Sequence, residues 1–510
     1  MDFKNKIKTV HEVKELTDGK SVILCHGTFD LVHAGHIRHL LYSKSKADVL
    51  VVSLTCDAHI SKGNTRPYVP QDLRAMNLAV LGMTDYVIVD TNPTPLENIS
   101  ILQPSFFSKG YEYDIQPHSK SKTAKTKEEK DLVESYGGQM IFTPGDVVYS
   151  SSQILTVAPP NLGLEKLLTV MHGDGLSFDD LRSILRSLQG IKAHVIGDTI
   201  VDSYTYTTMI GGMSKTPTIS VRHDRREDYV GGAAVVAKHM KAAGAEVNFS
   251  TVLGNDSYAS FVEHDLVKAG VRIKSFTDGR ITTNKNVIIA NDYRLLKLDR
   301  VENRTIAEDA FTKLKKRISD VQTDVVIFSD FRHGIFNSST IPELTAAIPD
   351  NVFKAADSQV ASRWGNILDF VGFDLITPNE KEARFATGDQ DSVIRPLAAK
   401  LYEEAECATL ILKCGEAGTL TTRSDDSTDF RGVFALDSFC HGQAVDPVGA
   451  GDALLAYASL TLKSGAGSVA ASILGGIAAG IECGFDGNIP VTSDKVMERL
   501  DELEKIANYE

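Results

Sequence analysis

Two short strings in this chain combine residue types that handle phosphate. The first is His26-Gly-Thr-Phe-Asp-Leu-Val-His-Ala-Gly-His36. Its last two histidines flank Ala34-Gly35 where a strand gives way to a helix. A helix N-terminus there offers free N–H groups to an anion, and its dipole adds favourable potential. His33 and His36 can hydrogen-bond phosphate oxygens; the bland alternative is a surface or metal-binding pair, since His is the commonest metal ligand. A lone H-x-G-H leaves that alternative ahead, but the whole string is far more specific. The second string is Asp446-Pro-Val-Gly-Ala-Gly-Asp452. Gly449, Ala450 and Gly451 can present consecutive N–H groups to an anion at the start of a helix over residues 453–462. Asp452, beside that anion hole, can accept a substrate hydroxyl proton during phosphoryl transfer. A tight glycine turn with an N-cap Asp explains the same letters about equally well when they stand alone.

Such residues need a scaffold that ends strands at helix N-termini. Residues 21–25 are an apolar run closed by a Gly-containing turn, followed by a helix-like segment from His36 to Lys46 and a second run over 48–54. Strand, turn, helix, strand begins a parallel α/β unit, and runs at 86–89 and 139–142 extend it. Residues 118–130, rich in Lys, Ser and Thr, predict a loop leading into a helix. The periodicity breaks around Ala158-Pro-Pro-Asn-Leu-Gly163, which predicts a linker over 158–176 between domains at 1–157 and 177–510. Ser177 is placed to cap a helix whose apolar positions include Leu181, Ile184, Leu185 and Leu188. Strand-like runs at 193–197, 324–328, 375–377 and 409–412 alternate with helical stretches, predicting a second parallel sheet covered on both faces.

Bulk properties narrow the function. A chain of 510 residues is too long for one core. The net charge of -13, from 54 Lys and Arg against 67 Asp and Glu, makes nucleic acid an unexpected partner, because a duplex-binding face needs clustered excess cations. The six cysteines form no C-x-x-C pair and read as reduced thiols of a cytoplasmic protein. The charged start lacks the apolar core of a signal peptide, and no apolar run is long enough for a bilayer, so no membrane association is expected.

Residues 20–155 resemble the nucleotidyltransferase superfamily marked by H-x-G-H, in particular its sugar-phosphate and alcohol-phosphate members. The pattern G-x-F-D-x-x-H-x-G-H is matched throughout. Lys62-Gly-Asn-Thr-Arg-Pro67 resembles the family's basic loop, Pro70-Gln-Asp-Leu-Arg74 its helix with a substrate-facing Arg, and Lys109-Gly-Tyr-Glu-Tyr-Asp114 its K-G-x-x-Y segment. Ser150-Ser-Ser152 stands where the family has a Ser/Thr cluster; being all Ser, it keeps the hydroxyl donors. The resemblance implies a Rossmann-like domain in which a sugar phosphate oxygen attacks the α-phosphorus of an NTP, with Mg²⁺ bridging the phosphates. It assigns catalysis to His33, His36 and Lys62. Nucleotide and phosphate binding falls to Thr28, Phe29, Arg66, Ser150, Ser151 and Ser152, and substrate binding to Asp30, Arg74 and Lys109. Solvated loop charge is the ordinary fate of residues like Lys62 and Arg66, and only the ordered resemblance lifts them above it.

From about residue 177 to the end, the chain resembles the ribokinase-like sugar kinases. Ile196-Gly-Asp198 and Asp202 match the opening strand and its sugar-binding Asp, and Gly231-Gly-Ala-Ala234 matches the Gly-Gly signature. Asn379-Glu-Lys-Glu382 matches N-x-x-E, and the 446–452 string matches the catalytic signature. Lys413-Cys-Gly415 and Gly418 resemble the nucleotide-side strand and turn. The resemblance implies an α/β domain with a small β lid, Asp452 as base, and Gly449, Ala450 and Gly451 as anion hole. Lys413 and Gly415 would lie on the nucleotide side, Asp198, Asp202, Gly231 and Gly232 on the sugar. Asn379 and Glu382 would organise Mg²⁺ indirectly. Two departures stand out. Val235 replaces an Asn that commonly contacts sugar hydroxyls, and Ala356-Asp-Ser358 replaces Asp-Pro-Lys.

Both halves together are similar to bifunctional heptose-phosphate kinase and heptose-1-phosphate adenylyltransferase proteins of lipopolysaccharide synthesis, with the domain order reversed. That resemblance implies ATP-dependent phosphorylation of heptose 7-phosphate at its anomeric hydroxyl, then nucleotidyl transfer to a sugar 1-phosphate. ATP is the expected donor for that transfer, favoured by the K-G-x-x-Y segment; CTP and another sugar stay open, as does one half serving only as a sugar-phosphate-binding module. Family relatives often pair through the lid, so a homodimer is expected, with residues 216–221 and 286–290 as lid strands.

Overall fold

The computed structural model describes residues 3–60, 66–110, 120–143, 163–212, 219–291, 293–360, 365–424, 432–440, 447–485 and 487–509. They fall into two compact units, one mainly of residues up to Val170 and the other mainly from Met171 onward.

The first unit is a five-stranded sheet of β1 (Val22–Gly27), β2 (Val49–Thr55), β3 (Tyr86–Asp90), β4 (Phe106–Gly110) and β5 (Gln139–Thr143), in the order β3-β2-β1-β4-β5. Every neighbouring pair is parallel. Successive residues of a strand point to opposite faces, and β1 shows it: Val22 and Leu24 enter a core with Val51 and Phe107, while Ile23 and Cys25 enter another with Leu50 and Val52. Both faces are therefore covered, as parallel sheets require. The order reverses between β1 and β4, and the crevice beyond their carboxyl ends is where open α/β sheets bind ligands. Strand β4 is a short Phe-Phe-Ser-Lys-Gly stretch whose strand character the hydrophobic pattern did not reveal. Residues 118–130, expected as a loop leading into a helix, are already helical from Lys120, in a helix over Lys120–Ser135.

Residues 163–173, expected to be linker, form the helix Gly163–Gly173, with Leu167 and Met171 buried four residues apart. The i,i+4 apolar pair has a face to bury, whereas the Pro-Pro break before it lies outside the described residues. Ser177 caps the following helix, Phe178–Ser187, as expected: its Oγ accepts from Asp180 N, and the Asp180 carboxylate accepts from Ser177 N at 2.9 Å.

The second unit holds β6 (Lys192–Gly197), β7 (Thr199–Gly212), β8 (Ile219–Gly232), β9 (Glu246–Val252), β10 (Arg272–Phe276), β11 (Thr283–Ala290) and β12 (Tyr293–Arg300). It continues with β13 (Val325–Asp330), β14 (Phe353–Ser358), β15 (Leu375–Ile376), β16 (Thr409–Lys413), β17 (Thr419–Thr422) and β18 (Val433–Leu436). Nine of them make one sheet, β10-β9-β6-β13-β14-β15-β16-β17-β18, parallel from β10 to β16. The other four form a separate sheet, β12-β11-β7-β8. Residues 286–290, expected in a lid, lie in β11, and 219–221 open β8; residues 216–218 lie outside the described residues. Among the described residues no helix is long and apolar enough to cross a membrane.

Candidate active sites

In the first unit, β1 delivers residues 28–33 to the N-terminus of the helix Ala34–Lys44. His33 is the N-cap, its Nδ1 accepting from Gly35 N at 3.1 Å, and its ring stacks on His36 at 4.0 Å. Burial holds the His33 pKa below its usual value; burial, helped by His33 and His39, holds His36 at about 4. Both imidazoles are thus neutral near pH 7. Because Nδ1 of His33 accepts, its proton sits on Nε2, which is left as a donor for an anion. Phe29 adopts φ +49, a left-handed conformation costly for a bulky residue, and its ring centroid lies 5.1 Å from that of His36. The Thr28 carbonyl, Asp30 and Arg66 frame this loop. Asp30 accepts from Val69 N at 2.9 Å, and Arg66 approaches its other oxygen at 3.7 Å.

Arg74 requires a correction. Expected to face substrate, it is fully buried, donating to the carbonyls of Thr28, Val69 and Thr55 and pairing with Asp57 at 2.5 Å. Its fork joins three chain segments, so the cation holds the site's loops in register. Lys109 ends β4 beside the crevice, but its ammonium is paired with Glu129. His26, inside the sheet, contacts Ser53 and Thr55 at 3.0 and 3.2 Å, and burial lowers its pKa to about 3. Lys62, Ser150, Ser151 and Ser152 lie outside the described residues.

In the second unit the helix Ala450–Lys463 begins at Gly449, its N-cap, so Ala450, Gly451 and Asp452 form its first turn. The Lys413 ammonium, at the end of β16, bonds Asp357 Oδ2 at 2.8 Å; Asp357 lies near the end of β14. Asn379 and Glu382 make a reciprocal capping box at the start of the helix Glu380–Thr387: Asn379 N donates to Glu382 Oε2 at 2.7 Å, and Glu382 N to Asn379 Oδ1 at 2.9 Å. Asn379 also bridges to Lys413 through the backbone. Burial, reinforced by Asp357, pushes Asp452 up to about 8, and burial pushes Glu382 up to about 7. For Lys413 burial opposes the charge, yet Asp357 and Glu382 outweigh it and raise its pKa. Three carboxyl groups around one ammonium leave room for further positive charge. Among the described residues no three His, Cys, Asp or Glu side chains form a metal cage. The carboxyl groups of Asp357, Glu382 and Asp452 beside Lys413 would suit Mg²⁺ carried largely by phosphates and water, the usual habit of that ion.

On the sugar side, Asp202 on β7 accepts from Asn488 Nδ2 at 3.3 Å. A Cβ at Gly231 would stand 2.1 Å from Asp202 Oδ2, which explains the glycine there. Gly232 caps the helix Ala233–Ala242, and Val235, where an Asn was anticipated, is 1% exposed and packs in the core. Asp198 stands next to this group: Ala233 N donates to its carbonyl at 3.0 Å, and its carboxylate accepts from the N–H groups of Phe331 and His333, both at 3.1 Å. Gly415 opens the turn after β16. Three residues went unassigned from sequence: Asp357, Asn488 and Lys285, whose β11 position is in register with Asp202. Asp357 had one signal, the missing Asp-Pro-Lys; Asn488 had none, being 286 residues from Asp202.

The fold and its sites define a two-unit α/β protein, with a nucleotidyltransferase-like first unit and a ribokinase-like second unit. The chain belongs to the pfkB family of carbohydrate kinases, whose family model matches residues 191–484; residues 24–157 match a model described as cytidylyltransferase-like. It is 29% identical over 317 residues to the bifunctional protein HldE of Desulfatibacillum aliphaticivorans, covering 60% of this chain and 62% of that one. Against the HldE of Geobacter sulfurreducens it is 25% identical over 333 residues, 63% of this chain and 65% of the relative. A shorter match, 37% over 147 residues, links it to the HldE of Syntrophotalea carbinolica, covering 28% of each. The chain thus spans under two thirds of the length of these relatives. Phosphofructokinase-2 from Escherichia coli superposes with a TM-score of 0.52 at 16% identity, covering 62% of this chain and all of that one, which speaks for the fold alone.

Proposed function

We propose that this chain is a bifunctional enzyme of nucleotide-sugar synthesis. Its second unit, within residues 177–510, phosphorylates heptose 7-phosphate at the anomeric hydroxyl with ATP. Its first, within residues 1–157, transfers a nucleotidyl group from ATP to a sugar 1-phosphate and releases pyrophosphate. The observation that carries the reading is the pair of helix N-termini at the ends of β1 and before Asp452, each with polar side chains suited to phosphate.

In the kinase step the hydroxyl oxygen bonds to the γ-phosphorus, its proton passes to an Asp452 oxygen, and the β–γ bridging bond breaks to release ADP. Asp202, Asn488, Gly231 and Gly232 hold the sugar; Lys413 and the N–H groups of Ala450 and Gly451 face the phosphates. Asn379 and Glu382 would organise Mg²⁺ indirectly, and the ion when bound would supply charge neutralisation among the phosphates. In the transfer step the sugar phosphate oxygen bonds to the α-phosphorus while neutral His33 and His36 donate to the phosphoryl oxygens. Thr28, Phe29, Arg66, Lys62 and Ser150–Ser152 complete the nucleotide side, and Asp30 and Lys109 the substrate side. The cytidylyltransferase-like match over 24–157 supports CTP as the second donor to test. Exposed Ile219, Tyr293, Leu296 and Leu298 on the lid strands support a homodimer through that sheet. Six free thiols fit a cytoplasmic setting.

Mass spectrometry of products tests the reading, with Mg²⁺, ATP or CTP, and heptose, hexose and pentose phosphates. A bisphosphate from heptose 7-phosphate and an ADP-sugar from heptose 1-phosphate are expected. Products only from other sugars, or only with CTP, reassign the substrates; none from any pair sinks the two-enzyme reading.

A further inference from the structure

On the reading that the second unit transfers a phosphoryl group, we propose that Lys413 is a catalytic residue: its ammonium, together with the N-terminus of the helix Ala450–Lys463, stabilises the phosphoryl group in transit. The placement of the ammonium is the argument. A Cβ built on Gly451 would stand 3.2 Å from Lys413 Nζ, so the ammonium lies against the first turn of the helix, and a side chain at 451 would crowd it. Helix N-termini carry partial positive charge and favour anions; a cation there is in the unfavourable place. Two sources of positive potential converge on one spot, and an anion bearing more than one negative charge is what relieves them. In the free protein the Asp357 carboxylate does part of this, at 2.8 Å from Nζ.

The geometry gives the lysine two partners in turn. Before phosphoryl transfer Asp357 holds the ammonium at the end of β16, whose backbone is fixed by Lys413 N donating to Pro378 O at 2.8 Å. As the β–γ bond breaks, negative charge spreads over the equatorial oxygens of the transferring group. The ammonium and the Ala450 and Gly451 N–H groups then meet that charge from two sides. The hydroxyl proton goes to Asp452 and the bridging electrons leave with ADP, so Lys413 gives up no proton. This goes beyond general nucleotide binding, because it places the contribution in the transition state rather than in ATP affinity.

Lys413→Met tests it, with steady-state kinetics on whichever sugar the wild type phosphorylates and ATP affinity from calorimetry. The expected result is a fall in kcat of about 100-fold, the scale for losing one preorganised charge donor, with the ATP dissociation constant changed less than about fivefold. Lys413→Arg, which keeps the charge, recovers part of the loss. Should Lys413→Met unfold because Asp357 is stranded, the pair Lys413→Met with Asp357→Asn removes the stranded charge, and the same fall is expected. A kcat within about threefold of wild type overturns the proposal, as does a kcat loss matched by an equal loss of ATP affinity, or an arginine variant no better than methionine. Absence of phosphorylation by the wild type would instead count against the kinase reading itself.

Discussion

The two candidate sites surround a helix N-terminus with opposite electrostatic arrangements. In the first, three cations have partners within the protein: Arg74 binds three carbonyls and Asp57, Lys109 binds Glu129, and Arg66 leans on Asp30. At the helix start stands a stacked pair of neutral histidines. In the second, an ammonium and several carboxyl groups crowd the helix start, and two of those carboxyls are pushed up towards neutral pH. One site relies on oriented neutral donors, the other on charges that need an anion and a cation to balance.

Four measurements sharpen or break that contrast. The largest effect is expected from Asp452→Asn, which removes the base: kcat for sugar phosphorylation should fall about 1000-fold, while nucleotidyl transfer by the first unit is untouched. Loss of both reactions would show that the sites are not independent. Next, Arg74→Ala strands Asp57 and frees three carbonyls, so thermal or denaturant unfolding should show a loss of about 3 kcal/mol. A variant that melts like wild type but binds sugar phosphate poorly would restore the substrate-facing role. Third, His36→Ala should lower kcat of the transfer reaction about 100-fold, with product formation by the kinase as control; an unchanged rate would remove His36 from the chemistry.

The smallest effect is in pH dependence. A base works only when deprotonated, and Asp452 sits at about 8, so kcat/KM for the kinase should fall as pH drops through about 8. Asp357→Asn removes a repelling carboxylate and should move that limb to lower pH. The transfer reaction should show no histidine limb near the ordinary value of about 6.5, because His36 is held at about 4 and stays neutral there. A histidine limb near neutrality would mean that the ring is more open to water than its packing against Phe29 and His33 allows.

Much of this was legible in the chain. The strand-to-helix junction at 26–36 and the glycine-rich string at 446–452 announce themselves because turn, helix start and donor residues are neighbours in sequence, and the strand runs alternate with helices as parallel sheets demand. Less local features were hidden. Strand β4 is five residues long and half polar, so its pairing with β1 and β5 makes it a strand. Within the linker expected over 158–176, residues 163–173 are helical, with Leu167 and Met171 buried four residues apart.

By itself, the sequence determined the two α/β units and the two strings, 26–36 and 446–452, on which the proposed phosphate chemistry of His33, His36 and Asp452 rests, since each depends on residues a few positions apart. Only the tertiary structure decided which charges are free to act. Arg74 went inward because carbonyls from Thr28, Thr55 and Val69 converge on it. Lys413 met Asp357 and the start of the helix Ala450–Lys463 because β14 and β16 end where that helix begins. Asn488 reached Asp202 across 286 residues. Such contacts depend on where elements end in space, and no spacing along the chain encodes that.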